Sequence, residues 1–417
     1  VMARDGTYLR RLTWNSVPES NPSISADGQW IAFICGSGAS SELWVISRDG
    51  VYLRRLTWNS VPESNPVMSG GGEWIAFICG TDTSSELWVI KRDGTGLKRL
   101  TYNSVAESSP SMSGDGYWIA FICGSGASSE LWVISRDGVY LRRLTWNSVP
   151  ESNPVMSGGG EWIAFICGTD TSSELWVIKR DGTGLKRLTY NSVAESSPSM
   201  SGDGYWIAFI CGSGASSELW VMARDGTYLR RLTWNSVPES SPSISADGQW
   251  IAFIWGTGTS SELWVMNRNG IPLRWLTYNS VAESSPSISG DGGYIAFISG
   301  SEASAELYII SGETTALFTE NFETDSVGSF PSIGGLTIAF NGAGDAIPNC
   351  DECRLLLTHR VTYRSSNSTI GHAWSNGSSP SSTTMLLCQT YACEWSRSSL
   401  LYRSLVEVST GSDERTE

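Results

Sequence analysis

A seven-bladed, all-β propeller is the fold class this sequence predicts. Three observations carry it: a fixed 44-residue period, four strand signals within each period, and no segment of helical periodicity as long as ten residues. The tripeptide Leu-Thr-Trp/Tyr begins at Leu12, Leu56, Leu100, Leu144, Leu188, Leu232 and Leu276. Trp-Ile-Ala-Phe keeps the same step from Trp30 to Trp250, after which Tyr294 takes the tryptophan's place. Glu-Leu-Trp-Val follows from Glu42 and ends as Glu306-Leu307-Tyr308-Ile309.

Within the first full unit, Pro22 to Ser25 is a short alternating stretch and Asp27-Gly28 a hairpin turn. Trp30 to Cys35 is a continuous apolar run, as a strand buried on both faces requires. After a Gly/Ser loop from Gly36 to Ser41, Leu43 to Ile46 forms a third strand. Asp49-Gly50 gives a second turn, and Tyr52 to Thr57 is an outer strand with interleaved arginines. A parallel β-helix needs much shorter turns of chain, so the period selects a propeller.

The ends of the array suggest how the ring closes. Thr7 to Thr13 is an outer strand without a blade of its own, whereas Ser311 to Phe318 makes a poor one. A bare strand edge is costly, so the amino-terminal strand is expected to complete the last blade. Six blades plus a spare unit is the structural alternative. The chain opens at Val1-Met2-Ala3-Arg4-Asp5-Gly6, which duplicates Val221 to Gly226, so the expected start of the gene product lies upstream. Residues 36–123 recur identically at 124–211, the mark of recent duplication, and recurrence there is no sign of selection.

The composition narrows the partners. A net charge of −14 repels nucleic acid and anionic lipid, and the longest apolar runs are far too short to span a bilayer. The ring has no histidine, since His359 and His372 lie in the tail, so a Ser-His-Asp triad or a histidine metal site is unavailable within it. No phosphate loop, dinucleotide fingerprint or Gly-x-Ser-x-Gly elbow appears, and neither metal nor cofactor is expected. Cys35, Cys79, Cys123, Cys167 and Cys211 share one blade position, replaced by Trp255 and Ser299. Stacked sheets lie about 10 Å apart, too far for disulfides, so these thiols are expected free.

Leu12-Thr13, Glu19 shortly before Pro22, Ser25-x-Asp27-Gly28-x-x-Ile31-Ala32-Phe33 and Leu43-Trp44-Val45-x-x-x-Asp49-Gly50 together resemble the TolB-like β-propeller repeat. The resemblance covers residues 1–318 in seven successive matches, with Ala26 or Gly70 where the family favours Pro. It implies a periplasmic or secreted location.

For function, the connection after each outer strand places Glu19, Glu63, Glu107, Glu151, Glu195, Glu239 and Glu283 at equivalent points around one mouth. At about 10 Å each pair repels by roughly 0.4 kcal/mol in water and about 1.7 kcal/mol at an effective dielectric of 20. A ring of this kind invites a cationic partner, and the expectation is a monomeric, non-catalytic scaffold that binds a basic protein there. The alternative is that each glutamate accepts hydrogen bonds from a neighbouring loop. Trp14, Trp58, Tyr102, Trp146, Tyr190, Trp234 and Tyr278 end the outer strands on the same face. They are candidates for stacking on sugar rings in a carbohydrate-binding lectin, or else wedges filling the gap between blades. The loops at Gly36 to Ser41 and their equivalents are where the copies differ.

Beyond Phe318 the composition shifts. Residues 319–345 look like the start of a lectin-like jelly roll, and residues 346–417 form an irregular tail with no readable strands, as a frameshift would produce. Cys350, Cys353, Cys388 and Cys393 are spaced too loosely for a zinc knuckle.

Overall fold

The computed structural model describes residues 9–81, 84–169, 172–271, 273–301 and 304–311, together with three strands between residues 355 and 409. In the first unit, seven four-stranded antiparallel sheets follow one another, one per repeat. Blade 1 consists of Glu19–Ile24, Trp30–Cys35, Glu42–Ser47 and Leu53–Arg55, and blades 2 to 6 repeat this order. Blade 7 takes Glu283–Ile288, Tyr294–Ser299 and Glu306–Ser311 from the end of the array, and its outer strand, Leu9–Arg11, from the beginning. Leu9 pairs with Ile310 and Arg11 with Tyr308, and Leu12 N donates to Leu307 O at 2.8 Å. The ring therefore closes through the amino terminus, and the six-blade alternative falls.

Neither face of a blade is stable alone, because the middle strands are apolar on both sides. Ala32, Ile34, Leu43 and Val45 of blade 1 meet Met68, Ile75, Phe77 and Ile90 of blade 2, and the same pattern recurs around the ring. The closing interface sets Leu12, Ile24, Ile31, Phe33 and Ile46 against Ala296, Ile298, Leu307 and Ile309. Phe33 and its equivalents are at most 1% exposed, and truncating one to alanine costs about 3–5 kcal/mol.

Two details differ from the sequence expectation. The inner strand begins at Glu19, not Pro22, because its register shifts between Ser20 and Ser23 to accommodate an extra residue. The residue in that bulge has a left-handed backbone: φ is 51° at Asn21, 50° at Ser109 and 51° at Ser241. The outer strands are also shorter than expected, only two or three residues, because the chain turns away to form the next junction. At the turn between the first two strands of a blade glycine is required: Gly72, which follows Gly71 in blade 2, has φ +67°, and a Cβ there would lie 2.9 Å from the Trp30 ring of the preceding blade.

The tail contains strands that no alternation in its sequence signals. Leu355–Tyr363, Thr383–Ser396 and Ser399–Ser409 form a three-stranded antiparallel sheet within the second unit. These segments are rich in threonine, tyrosine, leucine and valine, which suits extended backbone even where apolar and polar residues do not alternate. The expected jelly-roll start at 319–345, Cys350 and Cys353 lie outside the described residues.

Two outcomes follow from this architecture. Deleting residues 1–14 strips the last blade of its outer strand and removes the buried Leu12. Thermal denaturation is expected to show a loss on the order of 2–4 kcal/mol; an unchanged midpoint would mean that another segment supplies the strand. Asparagine tolerates the left-handed region better than serine, so Ser109→Asn, Ser197→Asn and Ser241→Asn should each stabilise the ring by roughly 0.3–1 kcal/mol in urea unfolding.

Candidate functional site

The sequence pattern Arg-x-Thr-aromatic-Asn, followed by Glu, folds into a hydrogen-bonded knot where each outer strand hands over to the next blade. At the junction of blades 1 and 2, Arg55 pairs with Glu42 through its Nη2 and donates from Nε to Thr57 O at 2.6 Å. Thr57 Oγ1 donates to Glu63 Oε2 at 2.8 Å and accepts from Leu43 N at 2.9 Å. Asn59 donates from Nδ2 to the other Glu63 oxygen, and Cys79 Sγ approaches that oxygen at 3.7 Å. One outer strand thus fixes a carboxylate on its own blade and another on the next.

The seven glutamates read as a mouth-lining ring are in these knots. Glu19, Glu63, Glu107, Glu151, Glu195, Glu239 and Glu283 are only 1–2% exposed. Burial pushes their carboxyls above the ordinary value, opposed by the hydrogen bonds from asparagine and threonine. They do not present open carboxylates to a basic protein, because the hydrogen bonds that offset their desolvation draw them inward. The adjoining thiols are free, and burial followed by the nearby glutamate pushes Cys35, Cys79, Cys123, Cys167 and Cys211 to about 12. Such thiols are poor nucleophiles.

The aromatic ring is placed differently from the wedge expected of it. Trp14, Trp58, Tyr102, Trp146, Tyr190, Trp234 and Tyr278 stand 58–74% exposed. Six of them carry the knot arginine over the ring, from Arg99 at 4.7 Å above Tyr102 to Arg11 at 6.0 Å from Trp14. One ring face is therefore shared with a guanidinium and is not free to stack on a sugar. The residues that do wedge between blades are the Trp30 series. Arg92 of blade 2 lies 3.8 Å over Trp30, and Arg180 of blade 4 lies 3.7 Å over Trp118.

One junction breaks the pattern. Between blades 6 and 7, Trp275 stands at the register position of the knot arginine, opposite Trp264. Its ring lies 4.6 Å from Tyr278 and 5.2 Å from Trp264, which stacks at 4.4 Å on Trp255, the residue in the usual cysteine position. Glu262 is consequently left without the arginine that its six counterparts have among the described residues. It accepts from Asn279 N at 2.8 Å and lies close enough to Glu283 to raise that carboxyl. Thr277 donates to Glu283 at 3.2 Å, longer than the 2.6–2.9 Å of the equivalent bonds at the other six junctions. Burial, with the neighbouring Glu262 adding to it, raises the Glu283 carboxyl to about 7. Protonation of Glu283 is thus favoured at the one junction where no guanidinium stands among the described residues.

A cleft of about 410 Å³ opens beside this pair, where blades 6, 7 and 1 meet. Glu283 and Glu19 line it with Ser20, Ser284, Ser285 and Ile298. Among the described residues, no group of histidine, cysteine, aspartate and glutamate is arranged to hold a metal ion. Sequence reasoning noted Trp255 and Ser299 but missed Trp275 as the substitution that matters. Its signal was available: arginine recurs at 11, 55, 99, 143, 187 and 231, and the next position is tryptophan.

Comparison with known proteins agrees with the fold. The family model described as the TolB beta propeller domain matches residues 1–157 and again 145–327. No protein with a curated description matches the sequence. Among solved structures, an oligogalacturonate lyase in complex with manganese superposes with a TM-score of 0.61 at 13% identity, over 75% of this chain and 95% of that one. The β-propeller domain of the Trilobed protease from Pyrococcus furiosus gives 0.55 at 12%, over 71% and 94%. A puromycin-hydrolyzing peptidase from Mycobacterium tuberculosis gives 0.57 at 15%, over 88% of this chain and 61% of that one. Identities this low establish the fold alone.

The expected scaffold function, and with it the lectin alternative, is therefore corrected. The intended docking carboxylates are buried, and the same ring serves in a lyase and in peptidases, so the fold is shared with enzymes and does not imply a non-catalytic role. No helix among the described residues is long and apolar enough to cross a membrane.

The buried carboxyls fix the sign of the acid response. Stability that the raised glutamates contribute is fully present below the ordinary value of 4.5 and is lost as pH rises, for Glu283 through about 7. Asp49, Asp93, Asp137, Asp181, Asp225 and Asp291 are held below the ordinary 3.8, chiefly by neighbouring hydroxyl and backbone donors, and contribute in the opposite direction. The midpoint of thermal unfolding is expected to be highest near about pH 4–5 and lower at about pH 8; a midpoint that rises steadily to neutral pH would contradict the buried-carboxyl account.

Proposed function

This chain belongs to the TolB β-propeller family, and on that premise we propose that it is an enzyme-type propeller whose working cleft lies where blades 6, 7 and 1 meet, with Glu283 as proton donor. The observation that carries this reading is the loss of the knot arginine at one junction. Trp275 replaces the arginine that would hold Glu262, and Glu283, beside Glu262, forms part of the wall of a cleft. A carboxyl that titrates at about 7 is suited to general acid catalysis near neutral pH. Glu19 lines the same cleft from blade 1 and is the candidate base. The lining residues include two glutamates and no cationic side chain, which disfavours anionic substrates. Serine hydroxyls from Ser20, Ser284 and Ser285 suit a neutral substrate rich in amide or hydroxyl groups. Oligogalacturonate lyase is a precedent for catalysis on a ring of this shape, although uronate chains are the kind of anion this cleft repels. Membership of the TolB family also favours a periplasmic or secreted setting.

The purified chain would be assayed against neutral and cationic chromogenic peptides, esters and glycosides, with oligogalacturonide as the anionic comparison. Turnover is expected with a neutral substrate, falling as pH rises through about 7, and Glu283→Gln should lower kcat about 10²–10⁴-fold. No turnover across the panel, or full activity in the Gln variant, would remove this reading.

A further inference from the structure

Six junctions of the ring have a second connection among the described residues. On the opposite face of the ring, an arginine of each blade lies over the aromatic residue of the preceding blade. Arg48 covers Tyr294, Arg92 covers Trp30, Arg136 covers Trp74, Arg180 covers Trp118, Arg224 covers Trp162 and Arg268 covers Trp206, all within 3.7–4.2 Å. At the blade 6–7 junction the arginine–carboxylate pair of the other six is missing among the described residues, and Trp275 stands in the arginine's place. The junction's apolar contact remains, through Ile254, Leu263, Val265, Ile288, Phe297 and Ile310.

We propose that the blade 6–7 junction is a proton-gated seam: the shared proton of Glu262 and Glu283 closes it, and loss of that proton opens the ring there instead of at the amino-terminal strand. The charges and polar groups facing the pair are few. The third strand of blade 6 contributes Glu262, the connection contributes Thr277 and Asn279, and the second strand of blade 7 contributes Ser299. Glu19 shares the cleft, and Glu306 on the third strand of blade 7 is held by Arg11. Arg274 pairs opposite Val265, one register position from Trp275, and strand alternation directs it to the other face. Among the described residues no ion pair to Glu262 or Glu283 replaces the one the arginine makes elsewhere, and the donors that bind the pair are neutral. Elsewhere a guanidinium stays charged at every accessible pH and offsets the carboxylates as they ionise. The opening lies beside the cleft and would widen it.

The inference stands apart from the catalytic reading, because its readout is backbone exposure, not turnover. Amide hydrogen exchange of the full chain would be followed at pH 6 and pH 8, corrected for the intrinsic rate. Sequence around Trp255 and Tyr294 is unique to blades 6 and 7, which makes their peptides assignable. Protection there is expected to fall at least tenfold more than at the blade 5–6 junction, where Arg231 pairs with Glu218. Trp275→Arg should abolish the excess response, and Arg231→Trp should transfer it to blades 5 and 6. An equal response at both junctions, or an excess that survives Trp275→Arg in a folded ring, would overturn the proposal. If Trp275→Arg does not fold, the Arg231→Trp transfer decides it alone.

Discussion

Everything in this ring depends on the burial of one blade face against the next. A four-stranded blade with apolar residues on both faces of its middle strands cannot remain in water by itself. It must have a neighbour on each side, and the last blade must meet the first. Closure is then a constraint on the whole chain. It explains why Leu9–Arg11 leaves its own repeat and pairs with Glu306–Ser311. The polar knot at each junction serves the same end. Thr57 and Asn59, on the way out of blade 1, hold the first residue of blade 2, so the angle between blades is fixed by directed bonds as well as by packing.

The knot carries a cost that its regularity conceals. Each contains two carboxylates close enough for one to raise the other, as Glu42 does to Glu63. One buried oxygen of Glu42, and of five equivalents, makes no hydrogen bond. A single arginine keeps such an arrangement tolerable, since an uncompensated buried charge costs several kcal/mol. Removing that arginine from one copy leaves the carboxyl pair to find another cation, and a proton is the one always available. A repeat protein can acquire a distinctive site in this way without new elements, by substitution at one junction of the circle.

Much of the fold was legible because it rests on periodicity. The 44-residue step, the Trp-Ile-Ala-Phe run and the Asp-Gly turns determine strand number, order and blade count, and the orphan strand before Leu12 determines how the ring closes. The bulge at Asn21 was not legible, since Pro22 makes the start of the strand read as a loop. The three strands near the carboxyl end were missed because their residues favour extended backbone without alternating.

For the candidate site the division is sharper. The sequence alone determined that seven glutamates and seven aromatic residues occupy equivalent places, because a strict repeat maps onto a strict circle. It could not say whether those carboxylates face water or protein. Only the tertiary structure decided that, because the groups that bury and bind Glu63 arrive from the preceding repeat, through Thr57 and Asn59. The same holds for Trp275. Its departure from arginine is visible in one line of sequence, but its consequence is set by Glu262 and Glu283, which lie on two different blades and meet only when the ring is assembled.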